Sequence, residues 1–120
     1  MNITVLWGTL SSDPLTRELP SGDSLVSYEV TTPALDGGRA DTVPVVWFDP
    51  PARLPALGEG DDVVVRGRVR RRFFRSSGGS TVSRTEVVAD AVVPARARSR
   101  VRRLLDTSAA DLSDATLQAG

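Results

Sequence analysis

The sequence contains no cysteine and no histidine. The lack of cysteine excludes disulfide bonds and thiolate metal sites. The lack of histidine removes the commonest general base and the commonest metal ligand of proteins. The acidic residues are scattered and show no Asp-x-Asp loop spacing suited to calcium. We therefore expect a binding protein and not an enzyme, with no cofactor and no metal site.

Long apolar segments are also absent, since no run approaches the ~18 consecutive apolar residues that a membrane-spanning helix requires. Residues 1–5 enter strand-like sequence without the basic start and apolar stretch of a secretion signal. The sequence therefore predicts a cytoplasmic protein with no membrane partner. Its 120 residues fit one small domain.

Lysine is missing too, so every cationic side chain is an arginine. The net charge is zero, but residues 1–65 hold three arginines against ten acids, which gives −7. Residues 66–103 hold twelve arginines against two acids, which gives +10, and the last seventeen residues add −3. Such a basic stretch suits a polyanionic partner, although an ordinary solvated face has the same composition.

Five segments have the β-branched and alternating character of strands: residues 2–10, 25–31, 42–48, 62–74 and 80–93. Residues 15–19 form a short extended piece, and the proline-rich residues 49–60 have room for one helical turn. Five strands with a short connector helix between the third and fourth predict an all-β OB-fold, a five-stranded Greek-key barrel. A β-sandwich is the structural alternative.

The character of the chain changes after Pro94. Apolar residues recur at helical spacing between arginines, at Ala97, Val101, Leu104 and Leu105. This pattern predicts a basic amphipathic helix that docks on the barrel, pairs with another subunit or touches nucleic acid. Thr107 or Ser108 could cap a further short helix over residues 109–117, with disorder as the alternative. The predicted organisation is a domain over residues 1–94, then a basic helix and polar tail over 95–120.

Alternation along the fourth strand separates an apolar row from a cationic row. The apolar row is Val63, Val65, Gly67 and Val69, and the other row is Val64, Arg66, Arg68, Arg70, Arg72 and Phe74. Guanidinium groups that face outward can follow phosphates while an exposed ring stacks on a base, which suits single-stranded nucleic acid. The alternative is a basic solvated strand.

Two adjacent rings, Trp47 and Phe48, end the third strand, so only one of them can point into the barrel. We predict that Trp47 is core and that Phe48 is exposed for stacking. Trp7 and Phe73 fit a core or a subunit interface better than a ligand contact. The candidate nucleic-acid-binding residues are Phe48, Arg66, Arg68, Arg70, Arg72, Phe74 and Arg84.

Short motifs in these segments resemble a known family. Residues 2–17 read N-x-x-x-L-x-G-x-L-x-x-D-P-x-x-R, and residues 57–67 read L-x-x-G-D-x-V-x-V-x-G. Three shorter motifs follow the same order: P-x-G at 20–22, V-V-x-F at 45–48 and T-E-V at 85–87. In order and spacing, the whole set resembles the motifs of bacterial single-stranded DNA-binding proteins. The resemblance covers about residues 2–93.

The resemblance implies an OB-fold that binds single-stranded DNA with little sequence preference, in replication, repair or recombination. It also implies assembly as a homotetramer or as a homodimer. Dimers of two-domain chains occur in some branches of the family. Phe48 falls where the family places a stacking phenylalanine, and Phe74 falls where it places an aromatic residue, often tryptophan.

The sequence departs from the family pattern at several positions. Thr42 stands where the family often has a stacking tryptophan, and an aromatic residue is missing near Leu35. The family's acidic tip closed by Pro-Phe is not found before Gly120, so we expect no tail-mediated recruitment of repair proteins. These departures indicate a divergent or truncated paralogue. The alternative function is an OB-fold interaction module that binds another single-stranded DNA-binding protein or an acidic partner.

Overall fold

The structure is a computed structural model that describes residues 1–119. Its elements in chain order are β1 (Thr4–Leu10), β2 (Leu15–Glu18), β3 (Ser24–Thr32), β4 (Asp41–Phe48), β5 (Asp62–Arg75), β6 (Thr81–Pro94) and α1 (Arg98–Ala119). The chain is therefore mainly β sheet with a C-terminal helix, which agrees with the predicted fold class. The extended piece after β1 is a strand of its own, β2.

The six strands form one sheet in the order β1-β5-β6-β4-β3-β2. Neighbours are antiparallel except β4 and β6, which run parallel and pair Val45 with Val87. β1 also pairs with β3 through Thr9–Thr31 and Leu10–Val30. Strand pairing therefore leads from β1 through β5, β6, β4 and β3 back to β1.

The core lies on the face of the strands that carries the alternating apolar side chains. Its buried members include Leu10, Val26, Tyr28, Val30, Val45, Trp47, Val63, Val65, Val87 and Val92. Burial raises the pKa of the Tyr28 phenol to about 12, because the charged phenolate would lose its water. The predicted apolar row of β5 is confirmed at Val63 and Val65, whereas Val69 is exposed.

A bulge interrupts the pairing of β5 with β6. Arg66 lies opposite Ala91 and Gly67 lies opposite Ala89, so Asp90 is an extra residue in β6. A Cβ atom at Gly67 would collide with the carbonyl oxygen of Val88. Glycine is therefore required here, because the backbone of β6 leaves no room for a side chain at this position of β5.

The segment between β4 and β5 contains no helix, so the predicted connector helix is wrong. Three prolines in this segment remove the backbone donors that a helix needs. The Glu59 amide instead donates to Asp13 Oδ1 at 2.7 Å, and the Gly58 amide donates to Asp61 Oδ2 at 2.8 Å. The Asp-Pro and Gly-Asp motifs of the sequence thus shape this loop.

α1 is one continuous helix, so the predicted helix start at Thr107 or Ser108 is wrong. Ser108 is buried, and its hydroxyl donates to the Leu104 carbonyl oxygen at 2.8 Å within the helix. Val101 and Leu104 pack against Val64 and Val93 of the sheet. The polar tail is helical as far as the structure describes it, and Gly120 lies outside the described residues. Within residues 1–119, no helix has the length and apolar character needed to cross a membrane.

Candidate nucleic-acid interface

The second half of β5 and the first half of β6 extend beyond the rest of the sheet as a two-stranded ribbon. β1 pairs with β5 only as far as Gly67, and β4 pairs with β6 only at Val87 and Val88. We call residues 70–75 and 81–86 the ribbon. Its register places Arg70 opposite Glu86, and it continues as Arg72–Arg84 and Phe74–Val82. Side chains that lie opposite each other share a face, so these residues lie together.

A buried carboxylate lies at the base of this face. Glu86 is only 1% exposed, and Arg70 donates to its Oε2 from Nη2 at 2.8 Å and from Nε at 3.1 Å. The Nε atoms of Arg72 and Arg84 lie 3.5 Å and 4.0 Å from Glu86 Oε1. Arg84 also contacts Glu29 of β3 at 3.5 Å. Three arginines against two glutamates leave this cluster with a net positive charge.

Two phenylalanine rings lie beside the arginine cluster. Phe48 is 39% exposed and Phe74 is 40% exposed, whereas Trp47 is 8% exposed. Trp47 in the core and Phe48 at the surface agree with the alternation of the third predicted strand. The guanidinium carbon of Arg70 lies 5.2 Å from the Phe48 ring centre, and that of Arg72 lies 5.1 Å from the Phe74 ring centre. Each pair is within cation–π range.

The opposite face of the ribbon carries another aromatic and arginine pair. Phe73 is 63% exposed, and the Arg71 guanidinium carbon lies 5.3 Å from its ring centre. Arg71 Nη2 also donates to Ser83 Oγ at 3.3 Å. Phe73 therefore lies at the surface of this chain and not in its core. Its position in a subunit interface stays a prediction.

Arg66 does not lie with the other candidate residues. α1 covers it, its side chain is 18% exposed, and it pairs with Asp111 of α1 and with Asp90 at 3.9 Å. Its buried Nε has no hydrogen-bond partner among the described residues. Arg68 is exposed and has no ion pair in the described chain. The structure thus gathers Phe48, Arg70, Arg72, Phe74 and Arg84, with Arg68 continuing their row toward β1.

A groove of about 400 Å³ adjoins the cluster on the β2 side. It is lined by Leu15, Thr16, Arg17, Ser27, Glu29 and Arg84. Leu15 is 70% exposed, so the groove offers apolar surface beside two guanidinium groups. In the sequence, Arg17 stands out only as a family motif residue, and its place beside the cluster follows from the tertiary fold.

The acidic partners of the site were also missed from the sequence. Glu86 could have been placed from the hairpin register, because the turn at residues 76–79 fixes which residues of the two strands face each other. Glu29 lies on a different strand, and only the tertiary fold brings it to Arg84. No group of three or more His, Cys, Asp or Glu side chains that could hold a metal occurs within residues 1–119. Arginine is the partner of both Glu29 and Glu86.

Comparison with known proteins identifies the family. The model of the single-strand binding protein family matches residues 1–95. The chain belongs to this family. α1 lies beyond the matched residues, so the helix is a feature of this chain that the family model does not describe.

Several curated proteins are similar over about three quarters of the chain. The single-stranded DNA-binding protein of Oceanobacillus iheyensis is 35% identical over 99 residues, which is 77% of this chain and 62% of that protein. The single-stranded DNA-binding protein 2 of Staphylococcus aureus strain Mu50 is 34% identical, over 77% of this chain and 70% of that protein. The single-stranded DNA-binding protein 2 of Listeria innocua is 35% identical, over 77% of this chain and 62% of that protein. This chain thus spans less than two thirds of the length of the Oceanobacillus and Listeria relatives and 70% of the length of the Staphylococcus relative.

Proposed function

We propose that this protein binds single-stranded DNA without sequence preference, through the outward face of the ribbon and β4. Arg68, Arg70, Arg72 and Arg84 contact phosphates, and Phe48 and Phe74 stack on bases. The observation that carries the proposal is the pairing of two exposed rings with two guanidinium groups on one face. Stacked bases and neutralised phosphates are the two contributions that single-stranded DNA binding requires. The names of the relatives support the same ligand.

The finer features of the fold and of the biological role belong to the same proposal. The pairing of β1 with both β5 and β3 supports a closed OB-type barrel over residues 1–94, to which residues 95–120 add a helix. Membership of the family supports a role in replication, repair or recombination. Along Thr4–Gly8 only β5 pairs with β1 among the described strands, so the other edge of β1 supports assembly with a second copy.

Backbone charge should dominate the affinity, because phosphate contacts carry no sequence information. We expect Arg72→Ala to weaken binding of oligo-dT, oligo-dC and oligo-dA by similar factors. Each lost phosphate contact should lower the salt slope of log K by about 0.7. Fluorescence anisotropy of labelled oligonucleotides at two salt concentrations measures both quantities.

Arg103→Ala is the matched control, since Arg103 is an exposed arginine of α1 outside the proposed site. It removes the same charge and should leave the affinity nearly unchanged. Phe74→Ala tests stacking separately, and the expected loss is about 1–3 kcal/mol per stacked base, a magnitude known from OB-folds of this kind. No binding of any oligonucleotide at low salt, or an equal loss in Arg72→Ala and Arg103→Ala, would refute the proposal.

A second candidate function is binding of an acidic protein partner, including another single-stranded DNA-binding protein. The observation that favours it is that Arg70, Arg72 and Arg84 already hold the carboxylates of Glu29 and Glu86. Size-exclusion chromatography of the two proteins together separates the two functions. Co-elution with the partner, combined with absent oligo-dT binding, would support the second function over the first.

A further inference from the structure

A second aromatic surface lies between β1 and the first half of α1, away from the ribbon. The groove there has a volume of about 500 Å³, and its lining includes Trp7, Val101 and Leu105 together with three arginines, Arg96, Arg98 and Arg102. We call it the Trp7 groove. Trp7 is 56% exposed although it is one of only two tryptophans in the chain. Such exposure of a large ring is typical of a binding surface.

The charge of the Trp7 groove is uncompensated. Arg96, Arg98 and Arg102 are exposed and take part in no ion pair within residues 1–119. The residues that line the groove include no carboxylate. The cleft on the other side of α1 differs, because there Arg100 and Arg103 share the lining with Asp90. Of the two clefts beside α1, the Trp7 groove is therefore the one that offers guanidinium groups beside a ring and without an acidic residue in its lining.

We propose that the Trp7 groove is a second contact surface for single-stranded DNA, with a base stacked on Trp7 and phosphates on Arg98 and Arg102. An exposed ring flanked by guanidinium groups is the same chemistry as in the ribbon. The proposal rests on the proposed function and extends it to α1, which lies beyond the residues that the family model matches.

The two surfaces lie on one path across the sheet. Trp7 lies opposite Val64 in β5, six residues before Arg70, which corresponds to ~20 Å along the strand. Arg68, exposed on the same face, lies between them. Arg66 is not available between them, because α1 covers it and its pairs with Asp90 and Asp111 neutralise it. A strand of DNA must therefore be long enough to cross this gap before both surfaces contribute.

The first test compares two double variants that remove the same charge from the same helix. Arg98→Ala/Arg102→Ala changes the Trp7 groove, and Arg100→Ala/Arg103→Ala changes the other side of α1. With oligo-dT of about 20 nucleotides, we expect the groove variant to lose about tenfold in affinity and about 1.4 in salt slope, from two phosphate contacts. The control variant should lose much less. Oligo-dT of about 6 nucleotides, within the range of one OB-fold site, should not distinguish the two variants.

The second test uses the fluorescence of Trp7, because Trp47 is buried and Trp7 is not. Long oligo-dT should quench the tryptophan emission of the unmodified protein, and Trp7→Leu should abolish most of that quenching. The same variant should weaken the binding of long oligo-dT by about 5- to 150-fold, which is the loss of affinity expected when one stacked base is removed. Short oligo-dT should still bind Trp7→Leu through the ribbon.

Three outcomes would overturn the proposal. Equal losses in the two double variants would show that α1 acts only through overall charge. Binding of long oligo-dT without quenching of Trp7 would exclude the stacked base. Dissociation of an oligomer by Trp7→Leu, with DNA affinity unchanged, would assign the groove to a second copy of this chain. In each case, binding of short oligo-dT would leave the proposed function standing, whereas absent binding at any length would refute both.

Discussion

At the scale of single residues, Glu86 determines how the arginines of the ribbon are arranged. It is the only buried charged side chain among residues 1–119, and its carboxylate takes contacts from Arg70, Arg72 and Arg84. A buried carboxylate is tolerated only because these partners compensate its charge. In the proposed function, the same contacts occupy guanidinium groups that DNA phosphates would use, so we expect Glu86 to compete with the ligand.

We expect Glu86→Gln to bind oligo-dT more tightly. The guanidinium groups that the buried Glu86 holds are themselves 32–46% exposed. Freeing one of them should be worth about as much as a surface ion pair, about 0.2–1 kcal/mol, which is a gain in affinity of about 1.4- to 5-fold at low salt. Fluorescence anisotropy measures the gain, and thermal unfolding checks that the variant stays folded. Glu18→Gln, on exposed β2, removes the same charge away from the cluster and should change the affinity less. Weaker binding by a folded Glu86→Gln would show that orientation of the arginines outweighs competition.

Tyr28 gives a pH dependence of stability. Its pKa rises from 10.0 to about 12 on folding, because burial disfavours the phenolate. The neutral form is therefore favoured in the folded state. Tyr28 therefore adds to the free energy of unfolding at every pH below 10. This contribution, about 2–3 kcal/mol in total, is lost as the pH rises through 12.

The measurement is urea unfolding across that pH range, with ultraviolet absorbance of the phenolate as a second reading. Tyr28 is the only tyrosine in the chain, so the absorbance reports on this residue alone. Tyr28→Phe should remove this part of the loss of stability. Ionisation of Tyr28 at its ordinary pKa in the folded protein would contradict the expectation.

At the scale of the elements, α1 decides which part of β5 stays accessible. Leu104 and Val101 bury Val64 and Val93, and Asp111 reaches Arg66. The outward row of β5 is therefore covered in its first half and exposed in its second half. The ribbon lies in the exposed half.

We expect Leu104→Ala to destabilise the docking of α1 by about 2–5 kcal/mol, because it removes a buried side chain and leaves a cavity. Urea unfolding followed by circular dichroism at a helix wavelength measures this loss. Leu117→Ala is the control, since Leu117 is 80% exposed on the same helix and should change stability by less than about 0.5 kcal/mol. Equal small effects of the two substitutions would show that α1 does not depend on this contact.

At the scale of the whole molecule, the strands leave one edge of β1 without a partner over Thr4–Gly8 among the described strands. Unpaired backbone groups on an edge of this kind favour pairing with another chain. We expect sedimentation velocity to find a homodimer or homotetramer at micromolar concentration. A monomer over the whole accessible concentration range would contradict the proposed assembly.

Charge is also organised at this scale. The fold divides the excess of arginine in residues 66–103 between two places. Glu29 and Glu86 partly neutralise it in the ribbon. Arg96, just before α1, and Arg98 and Arg102 in the first half of α1 have no acidic partner in the described chain. The zero net charge of the chain therefore hides two separate basic surfaces. Both should lose affinity for DNA as salt increases.

Much of the fold could be predicted from the sequence, because alternation in a strand fixes the face of each side chain. It placed Val63, Val65 and Trp47 in the core and Phe48 and Phe74 at the surface. The connector helix was predicted wrongly, because the prolines that exclude a long helix from this segment also exclude a single helical turn. The helix start at Ser108 was predicted from capping propensity, which the burial of that serine outweighs.

The sequence by itself determined the strand faces, the basic ribbon and the aromatic residues, since these depend on local periodicity and on the position of one turn. Only the tertiary structure decided which cations stay available. α1 folds back over Arg66, β3 brings Glu29 to Arg84, and the packing of α1 places Arg98 and Arg102 in one groove with Trp7. These contacts join residues far apart in the chain, and packing of the whole molecule sets them because no local pattern encodes long-range proximity.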